Sequence, residues 1–204
     1  MSSAAAVVAP GLDIAPEDTL RAQWYRLLAR FLSAAPSAPD LQAAAVLSGD
    51  DSELGRAIGA LAHVCARSQA AAVAEEYHDL FIGLVRGELV PYGSYYLTGF
   101  LHEKPLAKLR QDMARLGVAR EQGISDPEDH IASLCEMMAG FIDGSLGSAL
   151  SLEEQKAFYA AHIGSWAPVL FRDMEAAKRS VLYATLGSVG RVFLEIEEGG
   201  FAMV

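Results

Sequence analysis

Apolar residues recur at helical spacing along almost the whole chain, and that pattern dictates the class of fold open to it. After Pro16, the residues Leu20, Trp24, Leu27, Leu28, Phe31 and Leu32 fall on one stripe, which predicts an amphipathic helix to about Ser33. Residues 34–39 hold two prolines and break the chain. A short helix over 41–47 follows, with Ser37 or Asp40 as its cap and Gly49 as its end. Residues 52–66 repeat the pattern with Leu54, Ile58, Leu61 and Cys65, and residues 69–82 with Val73, Tyr77, Leu80 and Phe81. Residues 83–93, with three glycines and Pro91, read as a loop. A short helix is expected over 94–101. Another opens at Pro105, with Leu106, Leu109, Met113 and Leu116 on one face and Gly117 as a left-handed cap.

Residues 123–126 read as a polar loop. Asp126 is then expected to cap a helix with Pro127 at its first position and Ile131, Leu134, Cys135, Met138, Phe141 and Ile142 on its buried stripe. Ser151 and Glu154 form a capping-box pattern for a helix to about Ile163. The last two helices span 166–177 and 180 to about 198, where Gly199 and Gly200 are expected to stop the chain. No strand-like alternation, hairpin turn or fixed repeat competes. The expected fold is all-α: one globular domain over 1–204 with about nine or ten helices, residues 1–15 forming a flexible amino-terminal segment.

Composition narrows the function. The 204 residues are 52% apolar, enough for a sizeable core, and 26 Asp and Glu against 16 Lys and Arg leave a net charge of −10. That balance disfavours nucleic acid, whose phosphates demand Lys and Arg, and favours a basic or arginine-bearing partner. Cys65 and Cys135 offer neither a disulfide framework nor a zinc site, which suits a reducing compartment. Residues 1–10 lack the positive start of a secretory signal, and the apolar run 180–194 is too short to span a bilayer, so a cytoplasmic location without membrane insertion is expected.

Four segments carry candidate chemistry. Glu75 and His78 have the E-x-x-H spacing of di-iron bundles, but no second such pair exists; a metal-dependent helical-bundle enzyme is the alternative they support, a polar helix surface the plainer reading. No nucleophile elbow, P-loop, dinucleotide fingerprint or H-E-x-x-H occurs, so no catalytic residue and no metal is assigned. Residues 91–96, Pro-Tyr-Gly-Ser-Tyr-Tyr, either grip a peptide or simply cap and pack a short helix. Residues 126–130, Asp-Pro-Glu-Asp-His, form an acidic cluster suited to a helix start, with a histidine whose titration falls on either side of neutrality.

Together, Glu76-Tyr77 with Leu80-Phe81, Pro91-Tyr92 with Ser94 and Tyr96, and 126–130 followed by Leu134, Glu136, Met137 and Met138 resemble the TorD/DmsD/NarJ family of redox-enzyme maturation chaperones. The resemblance covers roughly 75–141. Val90 replaces the first proline of the family pattern, Asp126 its Glu, and Cys135-Glu136-Met137-Met138 its last motif. It implies a non-enzymatic, cytoplasmic, all-helical chaperone without a cofactor of its own, monomeric or a domain-swapped dimer. Some members touch guanine nucleotide or the client's molybdopterin cofactor. The implied partner is the catalytic subunit of a molybdenum-cofactor oxidoreductase through its twin-arginine leader, and the run 92–106 resembles the branch accompanying formate dehydrogenases. The peptide-binding residues it implies are Tyr92, Ser94, Tyr96, Asp126, Glu128, Asp129 and His130. Glu75, Glu76 and Asp79 offer a second acidic face for leader arginines, and Tyr92, Tyr95, Tyr96, Leu97 and Phe100 a groove for its apolar stretch. On this reading Asp129→Ala and His130→Ala weaken peptide binding with little loss of fold. A general helical adaptor is the remaining alternative.

Overall fold

The computed structural model describes residues 14–84, 86–120 and 126–204. Among these, ten α-helices follow in order: α1 Pro16–Ser33, α2 Ala38–Ala45, α3 Glu53–Cys65, α4 Ala70–Tyr77, α5 Gly93–Thr98, α6 Lys104–Arg115, α7 Ile131–Asp143, α8 Leu152–His162, α9 Ala167–Ala176 and α10 Leu182–Ala202. No β-strand occurs among the described residues; the single bridge joins Tyr92 to His130. Residues 1–13 of the expected flexible segment 1–15, and most of the polar loop 123–126, lie outside the described residues.

One contiguous core takes side chains from helices along the whole described chain. The apolar stripe of α1, with Tyr25, Leu28, Phe31 and Leu32 buried, packs chiefly on α7. Almost every residue of α7 from Ile131 to Ile142 is buried, which places it at the centre. On the other side α10 packs on α9 and α3. The approach to α9 is close because Gly190 presents no side chain: a Cβ there would lie 2.4 Å from the Phe171 ring. Tyr25 meets Phe193 edge to face at 4.8 Å, joining the two halves of the core.

Side-chain caps set several of the boundaries. Ser37 and Asp40 form a capping box on α2, Ser151 and Glu154 another on α8, and the Ser52 hydroxyl accepts from the Gly55 N–H of α3. Gly117, at φ +74°, follows α6 as expected. The departures are instructive. The second helix starts at Ala38, earlier than expected, because the Ser37 box nucleates it there, and it ends at Ala45. The helix through Tyr77 continues as a π-helical segment over His78–Ile82, closed by a bond from the Gly83 N–H to the His78 carbonyl at 2.7 Å.

Two corrections are larger. Asp126 does not cap the helix after it: α7 begins only at Ile131, and its N-cap is His130, whose Nδ1 accepts from the Ala132 N–H at 3.1 Å. The 126–130 segment is a turn, held by its pairing with 91–93. Nor do Gly199 and Gly200 stop α10, which continues to Ala202. There Phe201 is buried against the Tyr159 ring at 5.1 Å, and that packing outweighs a cost of roughly 1 kcal/mol for each glycine in a helix.

The start of α10 has no side-chain cap of its own. Glu76, in α4, supplies one: its Oε1 accepts from the N–H groups of Val181 and Tyr183, both at 2.9 Å, and its Oε2 from Leu182 at 3.3 Å. A carboxylate at the positive end of a helix satisfies donors that would otherwise be orphaned. Glu76→Ala should therefore cost about 1–2 kcal/mol, a melting decrease of roughly 2–8 °C by calorimetry, and Glu76→Gln clearly less.

Candidate peptide-binding site

The second and third motif segments are stitched together through the backbone. The Gly93 N–H donates to the Asp129 carbonyl and the Ile131 N–H to the Pro91 carbonyl, both at 2.9 Å, around the Tyr92–His130 bridge. Tyr92 lies edge-on to the His130 ring at 4.9 Å. Asp129 is 3% exposed, and its Oδ2 accepts from the Ser94 N–H at 2.7 Å. It therefore caps α5, not its own helix. Its Oδ1 and the fully buried Ser94 Oγ find no protein partner among the described residues. Beside Asp129, Gly93 and Trp166 lies a cavity of about 10 Å³, the scale of a single water molecule.

The neighbouring residues are equally committed. Glu128 is buried and accepts from Arg110 of α6 through Nε at 3.0 Å and Nη2 at 2.8 Å. Burial opposes its ionisation, but the Arg110 pair overcomes that and holds the carboxyl below its ordinary range. Tyr96 stacks on Trp166 at 5.4 Å and donates its hydroxyl to Asp173 at 2.9 Å. Burial and that acceptor raise its pKa well above the ordinary tyrosine value. The Tyr92 hydroxyl is pushed up to about 12, by burial first and then by Asp126.

Asp126 differs from the rest: it is exposed. It is near enough to Tyr77 and Tyr92 to raise both phenols, so the first and third segments meet at Tyr77, Tyr92 and Asp126. The acidic face of α4 turns elsewhere. Glu76 is engaged by α10, Asp79 meets Arg179 at 3.0 Å, and Glu75 faces solvent. Glu76 and Asp79 thus look toward the α9–α10 connection. The apolar candidates divide too: Leu97 and Phe100 are exposed, Phe100 to 69%, whereas Tyr92, Tyr95 and Tyr96 are half-buried.

Residues that the sequence reading missed complete the site. Trp166 floors α5, donating its indole N–H to the His162 carbonyl at 2.7 Å, while His162 meets Asp112 at 2.9 Å. Arg110 neutralises Glu128. The His162–Asp112 and Arg110–Glu128 pairs have no local signal, since their partners lie 50 and 18 residues apart. For a metal the geometry is poor: Glu75 and His78 are both exposed, and among the described residues no cluster of three or more His, Cys, Asp or Glu could hold an ion. No described helix is long and apolar enough to cross a membrane.

The fold class is all-α, with the second and third motif segments gathered into a largely buried clasp. The profile of the nitrate reductase delta subunit family matches residues 48–172. The chain belongs to this family, the TorD/DmsD/NarJ group that its motif segments resemble. It is similar to the chaperone protein TorD of Vibrio cholerae, 28% identical over 130 residues that make up 60% of this chain and 59% of that one. It is also similar to the TorD chaperone of Vibrio vulnificus, 30% identical over 104 residues, 47% and 48% of the two chains. The aligned part thus spans under two thirds of these relatives. A crystal structure from Archaeoglobus fulgidus, described as a redox enzyme maturation protein, shares the fold with a TM-score of 0.57 at 22% identity, over 86% of this chain and 94% of that one.

Two outcomes follow from the clasp. Because Asp129 and His130 are structural, the expectation that alanine spares the fold gives way: Asp129→Ala should cost roughly 1–3 kcal/mol in chemical denaturation, and Asp129→Asn, which keeps an acceptor for Ser94, less. Burial drives the His130 pKa down to about 4 despite Asp126 and Asp129, which raise it, and the acceptor role of Nδ1 requires the neutral ring. Below pH 6.5 the unfolded chain takes up a proton that the folded one refuses, so stability falls as pH drops toward 4. The loss should be roughly 2 kcal/mol between pH 7 and 5. His130→Asn, still a good N-cap, should flatten much of that slope, with His162, whose pKa burial also lowers, leaving a remainder.

Proposed function

We propose that this chain is a cytoplasmic maturation chaperone that binds the twin-arginine leader, or amino-terminal region, of a molybdenum-cofactor oxidoreductase and holds the apoenzyme until its cofactor is inserted. The observation that carries the reading is the family match, which runs through all three motif segments and whose named relatives include chaperones. The site supports it in kind. Ser94, Glu128, Asp129 and His130 hold the clasp shut, while exposed Asp126, with Tyr77 and Tyr92 near it, is the part a peptide reaches. An exposed carboxylate at the lip of an aromatic shelf suits an arginine, which pairs with the carboxylate while its flat guanidinium lies on the rings. Glu75 and Asp79 form a separate acidic face that a longer client segment reaches.

The reading assigns no catalytic step and no resident cofactor. A leader that is disordered when free loses about 2–5 kcal/mol of interaction energy in ordering, so a dissociation constant near micromolar, about −8 kcal/mol, fits a chaperone that must release its client. The formate dehydrogenase class is the first client to test, on the resemblance of the 92–106 run.

The test is calorimetric titration with the leader peptide of the molybdoenzyme encoded beside this chain, and with a version carrying lysine at both arginines. Saturable binding that weakens at least fivefold with the lysine peptide, and likewise for Asp126→Asn against the native peptide, is the expected result. Equal binding of both peptides would move recognition away from arginine, and no binding would sink the leader reading.

A further inference from the structure

A broad apolar concavity lies apart from the clasp. Between the first turns of α1, the start of α8 and the last turns of α10 runs a groove of about 720 Å³. Its walls are apolar, with Leu20, Trp24, Leu152, Phe193, Ile196 and Met203 among them. Leu20 and Ile196 are 52% and 53% exposed, on helices that had polar residues available for a solvent face.

The charge of the groove is as one-sided as its walls are apolar. Glu17, Asp18 and Glu197 border it, against the single guanidinium of Arg21. That guanidinium is fully engaged: Nε and Nη2 donate to Glu197 at 2.7 and 2.9 Å, and Nη1 to Asp18 at 2.6 Å and to Gln155 at 3.2 Å. Tyr25 donates to the same Glu197 at 3.0 Å. The floor is thus a satisfied polar network, and Glu17, with no ion pair among the described residues, is left to face an incoming charge. An apolar trough with an acidic lip takes an apolar segment that carries basic residues. A second copy of this chain, itself at net charge −10, is the poorer fit.

The groove and the clasp are joined along one connection. After α7 the chain passes Leu146, beside the pocket that Asp126 also borders, and reaches Leu150 and Leu152 in the groove wall. We propose that this groove receives the apolar stretch of the client leader, a flanking basic residue meeting Glu17. The proposal rests on the leader-binding reading above and replaces the 92–100 aromatic segment as the seat of the apolar stretch.

The experiment compares full-length wild-type protein, the double variant Leu20→Gln/Ile196→Gln and the double variant Leu97→Gln/Phe100→Gln, each titrated with the leader peptide of the neighbouring molybdoenzyme. Melting curves establish that both exposed-site variants fold. The groove variant should bind about tenfold more weakly or worse, the 97/100 variant should bind as wild type does, and Glu17→Lys should weaken binding further at low salt than at high. Undiminished affinity in the groove variant overturns the groove while the leader reading stands, and no binding by wild type overturns both. A concentration-dependent dimer that the groove variant abolishes, with peptide affinity unchanged, would assign the groove to a second copy and overturn the proposal.

Discussion

The carboxylate of Glu76 on the first turn of α10 is the contact on which most of the architecture leans. A helix leaves four N–H groups unpaired at its start, and a domain of ten short helices has many such ends to satisfy. α10 is the wall against which α9 and α3 pack, and α1 and α4 touch it too, yet Val181 at its N-cap offers no acceptor. Glu76 supplies three hydrogen bonds there across more than a hundred residues of chain. Asp129 does the same for α5, across 35. Remote carboxylates thus decide where two helices begin, and with them how α4 sits on α10 and how α5 sits on the turn before α7.

This division of labour explains what could be read from the chain. The apolar stripes of α1, α3, α6 and α7 are visible because periodicity is local, and the serine caps at Ser37 and Ser151 because a cap and its donor lie within four residues. The start of α7 was misplaced for the same reason in reverse. Asp126 followed by Pro127 has every local mark of a helix start, but the 126–130 backbone is spent on pairing with 91–93, and that partner is invisible to any local rule. The end of α10 was misplaced because two glycines are a local signal, while the burial of Phe201 against Tyr159 is not.

The site was legible as a set of residues and illegible as a geometry. Tyr92, Ser94, Asp129 and His130 do come together, but as a clasp whose polar atoms are mostly turned inward. Of the acidic residues over 75–79, Glu76 and Asp79 serve the α9–α10 connection, and Glu75 is exposed. Motif residues in this chain mark its architecture, because a buried cap or stacked ring tolerates few substitutes, and the surface that meets another molecule is built from the less distinctive side chains around it.

Charge gives that surface its character. Arg21, Arg26, Arg30, Arg110, Arg179 and Arg191 each sit on one or more carboxylates. With these arginines engaged within the molecule, much of the surplus that makes the net charge −10 is left on exposed acids such as Glu17, Glu75 and Asp126. Carboxylates placed at the edges of apolar surface attract a cation from a distance within the Debye length, about 8 Å at physiological ionic strength, and add little once it is exposed and paired. On the proposed reading, charge would govern encounter with a basic leader, and burial of its apolar stretch would govern residence. A chaperone needs those two steps separable, since it must catch a nascent segment quickly and still let it go.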